Sequence, residues 1–124
     1  SPLRNISDIK KSLKKFRNKN FNNLVSVCDA RKNPYFNMLE VKNGLLKKVK
    51  KLKNNKNIIR RQDAPKVYEM NASIYIWKRK AIINNFPLLS KKTLIYEMPE
   101  ERSVDIDSKL DFKFVEYLLN KKDD

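Results

Sequence analysis

Histidine is absent from this 124-residue chain, cysteine and glycine occur once each, and no apolar run is longer than a few residues. Without histidine, the usual zinc sites and Ser-His-Asp hydrolysis are excluded. Cys28 alone allows no intramolecular disulfide and has no metal-ligand spacing. With no histidine base to activate it, the expectation is a small buried apolar residue rather than a nucleophile. One glycine, Gly44, cannot build the glycine-rich loops that cradle phosphates. Nothing approaches the roughly 20 apolar residues that span a bilayer, and no signal-peptide pattern opens the chain. A soluble, cytoplasmic protein with no membrane partner is expected. Its chemistry then falls to carboxylates, basic groups and bound ions.

What the chain does have is positive charge. Lys and Arg number 29 against 14 acidic residues, a formal net charge of +15, with a mean hydropathy of −0.72 and 40% hydrophobic residues. Such a field attracts phosphates, nucleic acid or anionic substrates. The lysines are nevertheless spread among asparagines ("KKFRNKNFNN", "KKVKKLKNNKN"), a composition that an AT-biased genome also produces, so charge alone names no partner. The length and the recurrence of apolar positions in every segment predict one folded domain with one core.

Periodicity predicts alternating helices and strands. Ile6, Ile9, Leu13 and Phe16 fall at helical spacing, with Ser7 as N-cap. "NLVSVCDA" has the length of a buried strand. "FNMLEVKNGLLKKVKKL" reads as two strands joined at Asn43-Gly44, a dipeptide suited to the positive φ of a two-residue turn. A basic loop follows. "NASIYIW" and "TLIYEM" read as strands, and "KRKAIINNF" between them as a short helix. "SKLDFKFVEYLLNKK" reads as a closing helix with Leu110, Phe114, Val115, Leu118 and Leu119 on one side, and Ser108 with Asp111 as a variant capping box. The class is α/β with a hairpin inserted midway.

Two constellations carry chemistry. If "SVDID" is extended, Asp105 and Asp107 share a face while Val104 and Ile106 point to the core. Two carboxylates just before a helix suit Mg²⁺, a hard ion that fills its other positions with water and phosphate. The bland alternative pairs them with Arg102 or Lys109, or leaves them capping the helix, to which Asp111 is assigned. The second constellation is "RRQDAPKVYEMNASIYI", where Arg61, Gln62, Asn71 and Tyr75 surround two strand-like segments. Asn71, Ser73 and Tyr75 share a face if a strand starts at Asn71. Here the bland alternative is a core-edge tyrosine and a solvated arginine.

In order, "SPLR", "NPYFNMLEV", "RQDAP", "NASIYI" and "ERSVDIDSKLDF" resemble the C-terminal half of the acylneuraminate cytidylyltransferases, the CMP-sialic acid synthetase family. The likeness covers essentially the whole chain, and "SVDIDSKLD" is its most specific part. It implies a Rossmann-like nucleotide-diphosphosugar transferase fold, with residues 1–124 as the C-terminal portion of a single domain. It also implies a hairpin element at 33–59 that reaches across a homodimer. The implied activity is transfer of CMP from CTP to a nonulosonic acid such as N-acetylneuraminate or legionaminate, releasing pyrophosphate, with Mg²⁺ as cofactor.

Residue by residue, Asp105 and Asp107 match the family's catalytic, metal-binding aspartates. Arg61 matches the arginine facing the acid sugar; Gln62 belongs to the same "RQDAP" string, and Asn71 and Tyr75 match sugar-pocket positions. The glycine-rich CTP loop has no counterpart here. "SPLR" starts without a methionine or a preceding strand pattern, which predicts a piece of something longer, inactive alone. Two more departures stand out: Phe36 occupies a position that is often lysine in sialic-acid-activating relatives, and Ala72 replaces a glycine of "NGAIYI", a change expected to leave the strand intact. The competing classes are a basic nucleic-acid-binding module and a purely structural dimerisation module. Against nucleic acid, no aromatics interleave the lysine runs and no recognition-helix motif appears.

Overall fold

The computed structural model describes residues 1–53 and 58–122. The elements are α1 (Ile6–Phe16), β1 (Asn23–Asp29), β2 (Leu39–Lys42), β3 (Leu45–Lys48), β4 (Tyr68–Trp77), α2 (Arg79–Ile83), β5 (Thr93–Glu97) and α3 (Lys109–Lys122), with short 3₁₀ turns at Arg61–Asp63 and Glu100–Arg102. Contacts divide them into two compact units, one of residues 1–28 and 69–124, the other of residues 29–68.

The first unit is built on a three-stranded sheet of order β4-β1-β5. β1 is central because its residues from Asn23 to Cys28 are all buried, as a strand covered on both faces requires. It runs parallel to β5, in register from Asn23 opposite Thr93 to Val27 opposite Glu97. On the other side, backbone bonds from Lys78 N–H to Asn22 O and from Ala30 N–H to Val67 O show that β4 runs antiparallel to β1. Phe16, Leu24, Ile74 and Met98 form the core, with Phe21, Ile76, Leu94 and Tyr96 packed against it. Cys28 is buried, as expected.

β4 is irregular at one residue. Ala72 has φ +53° inside the strand, a left-handed conformation uncommon for a residue with a Cβ. The next two N–H groups are satisfied by side chains: Ser73 N–H donates to Asn71 Oδ1 (3.3 Å), and Ile74 N–H to Ser26 Oγ (2.8 Å). Burial loses its alternation there, with both Ser73 and Ile74 buried. The expected common face of Asn71, Ser73 and Tyr75 is therefore corrected: the first two are buried, whereas Tyr75 is 45% exposed.

Both flanking helices depart from their apolar stripes. α1 starts one residue after Asn5, not Ser7: Asn5 Oδ1 caps Asp8 N–H at 2.9 Å, and Asp8 Oδ2 reaches back to Asn5 N–H at 3.3 Å. Its buried face holds Asp8, Ser12 and Phe16, while Ile6, Ile9 and Leu13 are exposed. The reason is that Asp8 finds an arginine partner, Arg102, inside the unit. In α3 only Val115 of the expected stripe is buried, Leu118 is half-buried, and Leu110, Phe114 and Leu119 face solvent. Ser108 does cap it, accepting from Asp111 N–H at 3.1 Å, but the return bond from Asp111 goes to Asp107 N–H.

In the second unit, β2 and β3 form the expected hairpin, pairing Leu39 with Lys48 through Lys42 with Leu45. Its turn is Asn43 (φ +53°) and Gly44 (φ +76°), the two left-handed residues that a type I′ turn demands. Of the expected 33–59 element, residues 54–57 lie outside those described.

Candidate functional site

The segment expected to carry the acid pair leaves the 3₁₀ turn at Glu100–Arg102 and enters α3 without forming a strand. Ile106 is exposed rather than turned to the core, Val104 is half-buried, Asp105 is partly exposed and Asp107 exposed, which corrects the extended, core-facing reading. A strand would need a neighbour for its ladder, and here the flanking bonds are local turns, Ser103 N–H to Glu100 O and Asp107 N–H to Asp111 Oδ2, each at 3.0 Å. Asp105 Oδ1 lies 3.3 Å from the α-nitrogen of Ser1. Among the described residues, no group of three or more His, Cys, Asp or Glu side chains is arranged to hold a metal ion. Two accessible carboxylates nonetheless match the donor chemistry of Mg²⁺, which takes one or two carboxylates and completes its octahedron with water and phosphate oxygens.

Arg102 is not a partner of these aspartates. Its Nε and Nη2 grip the two oxygens of Asp8, each at 2.9 Å, across 94 residues of sequence. Tyr96 Oη donates to Asp8 Oδ1 at 3.0 Å. Asp8 is only 1% exposed. Burial alone would raise its carboxyl pKa, but the Arg102 fork, the Asn5 N–H and the Tyr96 hydroxyl outweigh it and hold the group below the ordinary aspartate range. Burial and then the same hydrogen bond push the Tyr96 hydroxyl up, and the bond to Asp8 holds Arg102 protonated. Sequence reasoning missed this triad, and no local pattern points to it.

Asn71 is 6% exposed and joined to the same region. Its Oδ1 accepts from Ser26 Oγ at 2.5 Å, and its Nδ2 donates to Ser103 Oγ at 3.0 Å and to Met98 Sδ at 3.5 Å. Ser103 Oγ in turn donates to Pro99 O at 2.8 Å.

Arg61 and Gln62 belong to the second unit, where they line a cavity of about 420 Å³ together with Asp29, Asn33, Pro65 and Lys66. Both are exposed. Arg61 Nη2 donates to Ala30 O at 3.0 Å, which aims the guanidinium without neutralising it. Lys66 pairs with Asp29 at 3.4 Å and lies over the Tyr68 ring at 5.2 Å. Asn33 fixes the wall: its Oδ1 accepts from Tyr35 N–H at 2.8 Å, and its Nδ2 donates to Pro65 O at 3.0 Å. The Asn-Pro dipeptide is a turn signal that would have flagged this residue. Phe36 is half-buried and donates its N–H to Asn33 O. The result is a concave, half-polar surface with fixed cationic groups, suited to an anionic ligand.

A mixed parallel and antiparallel α/β sheet, compatible with a Rossmann-like fold, is the class of architecture present. No protein-family model matches the chain. It is 44% identical over 122 residues to post-translational flagellin modification protein B of Campylobacter coli, covering 98% of this chain and 50% of that protein. It is 48% identical over 99 residues to the CMP-N,N'-diacetyllegionaminic acid synthase of Campylobacter jejuni, covering 80% of this chain and 40% of that protein. It is 28% identical over 130 residues to an N-acylneuraminate cytidylyltransferase of Streptococcus agalactiae, covering 99% of this chain and 30% of that protein. The chain belongs to the acylneuraminate cytidylyltransferase family. It spans half the length, or less, of the curated relatives it matches.

Proposed function

We propose that this chain is the C-terminal portion of a cytidylyltransferase that joins CTP to a nonulosonic acid, giving the CMP-sugar and pyrophosphate. The observation that carries the reading is the 48% identity to a CMP-N,N'-diacetyllegionaminic acid synthase, together with the accessible acid pair ahead of α3. A legionaminate-type acid is favoured over N-acetylneuraminate, because that relative is 48% identical against 28% for the N-acylneuraminate enzyme, and because Phe36 stands where the resemblance leads one to expect lysine in sialic-acid-activating relatives.

In this reading the anomeric hydroxyl of the acid attacks the α-phosphorus of CTP. Such a displacement requires alignment and charge neutralisation more than covalent chemistry. Arg61 binds the sugar carboxylate by a two-pronged, charge-assisted contact, and Gln62 hydrogen-bonds its hydroxyl groups. Asp105 and Asp107 would hold Mg²⁺, which would supply positive charge to offset that of the phosphates. A segment upstream supplies the CTP loop that the composition here lacks. Dimerisation through the hairpin is favoured by its open apolar side: Leu39, Val41 and Leu46 share one face by register, with Val41 and Leu46 each 69% exposed. Val41→Lys should then shift the sedimentation coefficient to that of a monomer; an unchanged dimer would assign the interface elsewhere.

The test is pyrophosphate release from CTP by the protein extended to the length of its relatives, with Mg²⁺ and a panel including N,N'-diacetyllegionaminate and N-acetylneuraminate. Turnover is expected, fastest with the legionaminate, and absence of turnover with every acid overturns the reading. Asp107→Asn should lower kcat by on the order of 10²-fold, since the metal contributes several kcal/mol. Its circular dichroism should match the parent's. Near-parent turnover would remove the role of Asp107.

A further inference from the structure

Asn71 has no hydrogen-bonding capacity left for a substrate. A carboxamide has two N–H donors and an oxygen that accepts two bonds. Here the oxygen takes Ser26 Oγ and Ser73 N–H, and the nitrogen gives to Ser103 Oγ and Met98 Sδ. One of these bonds satisfies the irregular backbone after Ala72, one joins Ser26, whose Oγ accepts from Ile74 N–H, and one ends on Met98, the residue after β5. The fourth points elsewhere. Ser103 lies two residues before Asp105, and it is held between Asn71 Nδ2 and Pro99 O. From Ser103 to Ile106 the chain has no helix or strand ladder of its own. Its fixed points are Arg102 locked to Asp8 on one flank, Ser103 held by Asn71 through its hydroxyl and by Glu100 O through its N–H, Asp105 beside the Ser1 α-nitrogen, and the Asp107 N–H held by Asp111 at the far end.

We propose that Asn71, acting through Ser103, is a positioning residue that sets the Asp105–Asp107 segment for divalent-cation binding rather than a contact to the sugar. This rests on the reading that those two carboxylates hold the ion. Mg²⁺ demands near-ideal octahedral geometry, so a ligand-bearing segment outside any helix or strand depends on whatever fixes its root. The Ser26 and Ser73 bonds keep Asn71 in one rotamer, and its remaining donor transmits that position to the loop.

The experiment uses Mn²⁺ as probe, its binding read by electron paramagnetic resonance in the protein at the length of its relatives, alongside KM for the acid sugar. Ser103→Ala and Asn71→Ala should each raise the Mn²⁺ Kd about 10-fold, as loss of an outer-shell partner does, and leave KM for the acid within about twofold. Ser103→Thr keeps the hydroxyl and should restore Mn²⁺ binding. Ser103→Ala leaves the bonds from Asn71 to Ser26 and Ser73 in place, so it decides the matter if Asn71→Ala does not fold. An unchanged Mn²⁺ Kd in Ser103→Ala overturns the positioning role. A raised KM for the acid with unchanged Mn²⁺ Kd in Asn71→Ala also overturns it and returns Asn71 to the sugar. Asp107→Asn separates the two levels: if it leaves Mn²⁺ binding intact, the metal reading itself fails.

Discussion

The polar clusters around Asp8 and Asn71 in the first unit are enclosed and mutually satisfied, whereas Arg61 and Gln62 in the second are open. Asp8, Arg102 and Tyr96 form a closed triad, and Asn71 fills all of its bonds with protein partners. Arg61 and Gln62, by contrast, stand exposed around a cavity, with Arg61 steadied by a single carbonyl. A buried polar group that loses its partner incurs the full desolvation penalty, while an exposed one is rehydrated. Polar residues of one sequence are thus divided into those whose loss should destabilise the fold and those whose loss should leave it in place.

Substitutions should separate the two kinds. The largest effect on stability is expected for Arg102→Ala, which strands the Asp8 carboxylate. Breaking a buried pair costs about 3–5 kcal/mol, and the lower end applies because Arg102 itself is partly exposed. Urea unfolding measures it, and a loss under about 1 kcal/mol would mean that water reaches Asp8. The same triad sets an acid limit. Because the folded pKa of Asp8 is depressed, its contribution is complete above the unfolded value of about 3.9 and is lost as the pH falls toward the folded one. Unfolding midpoints followed below pH 5 should fall more steeply for the parent than for Asp8→Asn.

A smaller effect of opposite sign is expected for Ala72→Gly. Relief of a left-handed alanine gains about 1–2 kcal/mol, and the greater freedom of unfolded glycine removes about 0.5–1 of it. A net stabilisation of about 0.5–1 kcal/mol should appear in urea melts, and destabilisation would contradict the positive φ. The smallest stability change belongs to Arg61→Ala, within about 0.5 kcal/mol, as for exposed sites generally. Under the proposed function its KM for the acid sugar should nonetheless rise at least about 10-fold, the loss of a charge-assisted contact. Unchanged KM would leave the cavity without its assigned ligand.

Legibility in the sequence tracks the range of the interactions. β1, the Asn43-Gly44 turn and the Ser108 cap are written in neighbouring residues, and each formed where expected. The face of α1 was misread because its stripe of Ile6, Ile9 and Leu13 lost to Asp8, whose partner lies 94 positions away. No periodicity encodes such a partner. Arg61 and Gln62 could be nominated by their motif, but Asn33, Asp29 and Lys66 join them only through folding. Asn71 could be picked out as special from the string around it, yet only the folded chain reveals that its bonds are all taken.

The left-handed step at Ala72 also fixes a parity. Adding one residue to one edge of a two-residue repeat inverts inside and outside for the rest of the strand. The phenol of Tyr75 faces water because of backbone handedness three residues earlier, so a one-residue deletion at the kink would exchange its place with the aliphatic side chain beside it.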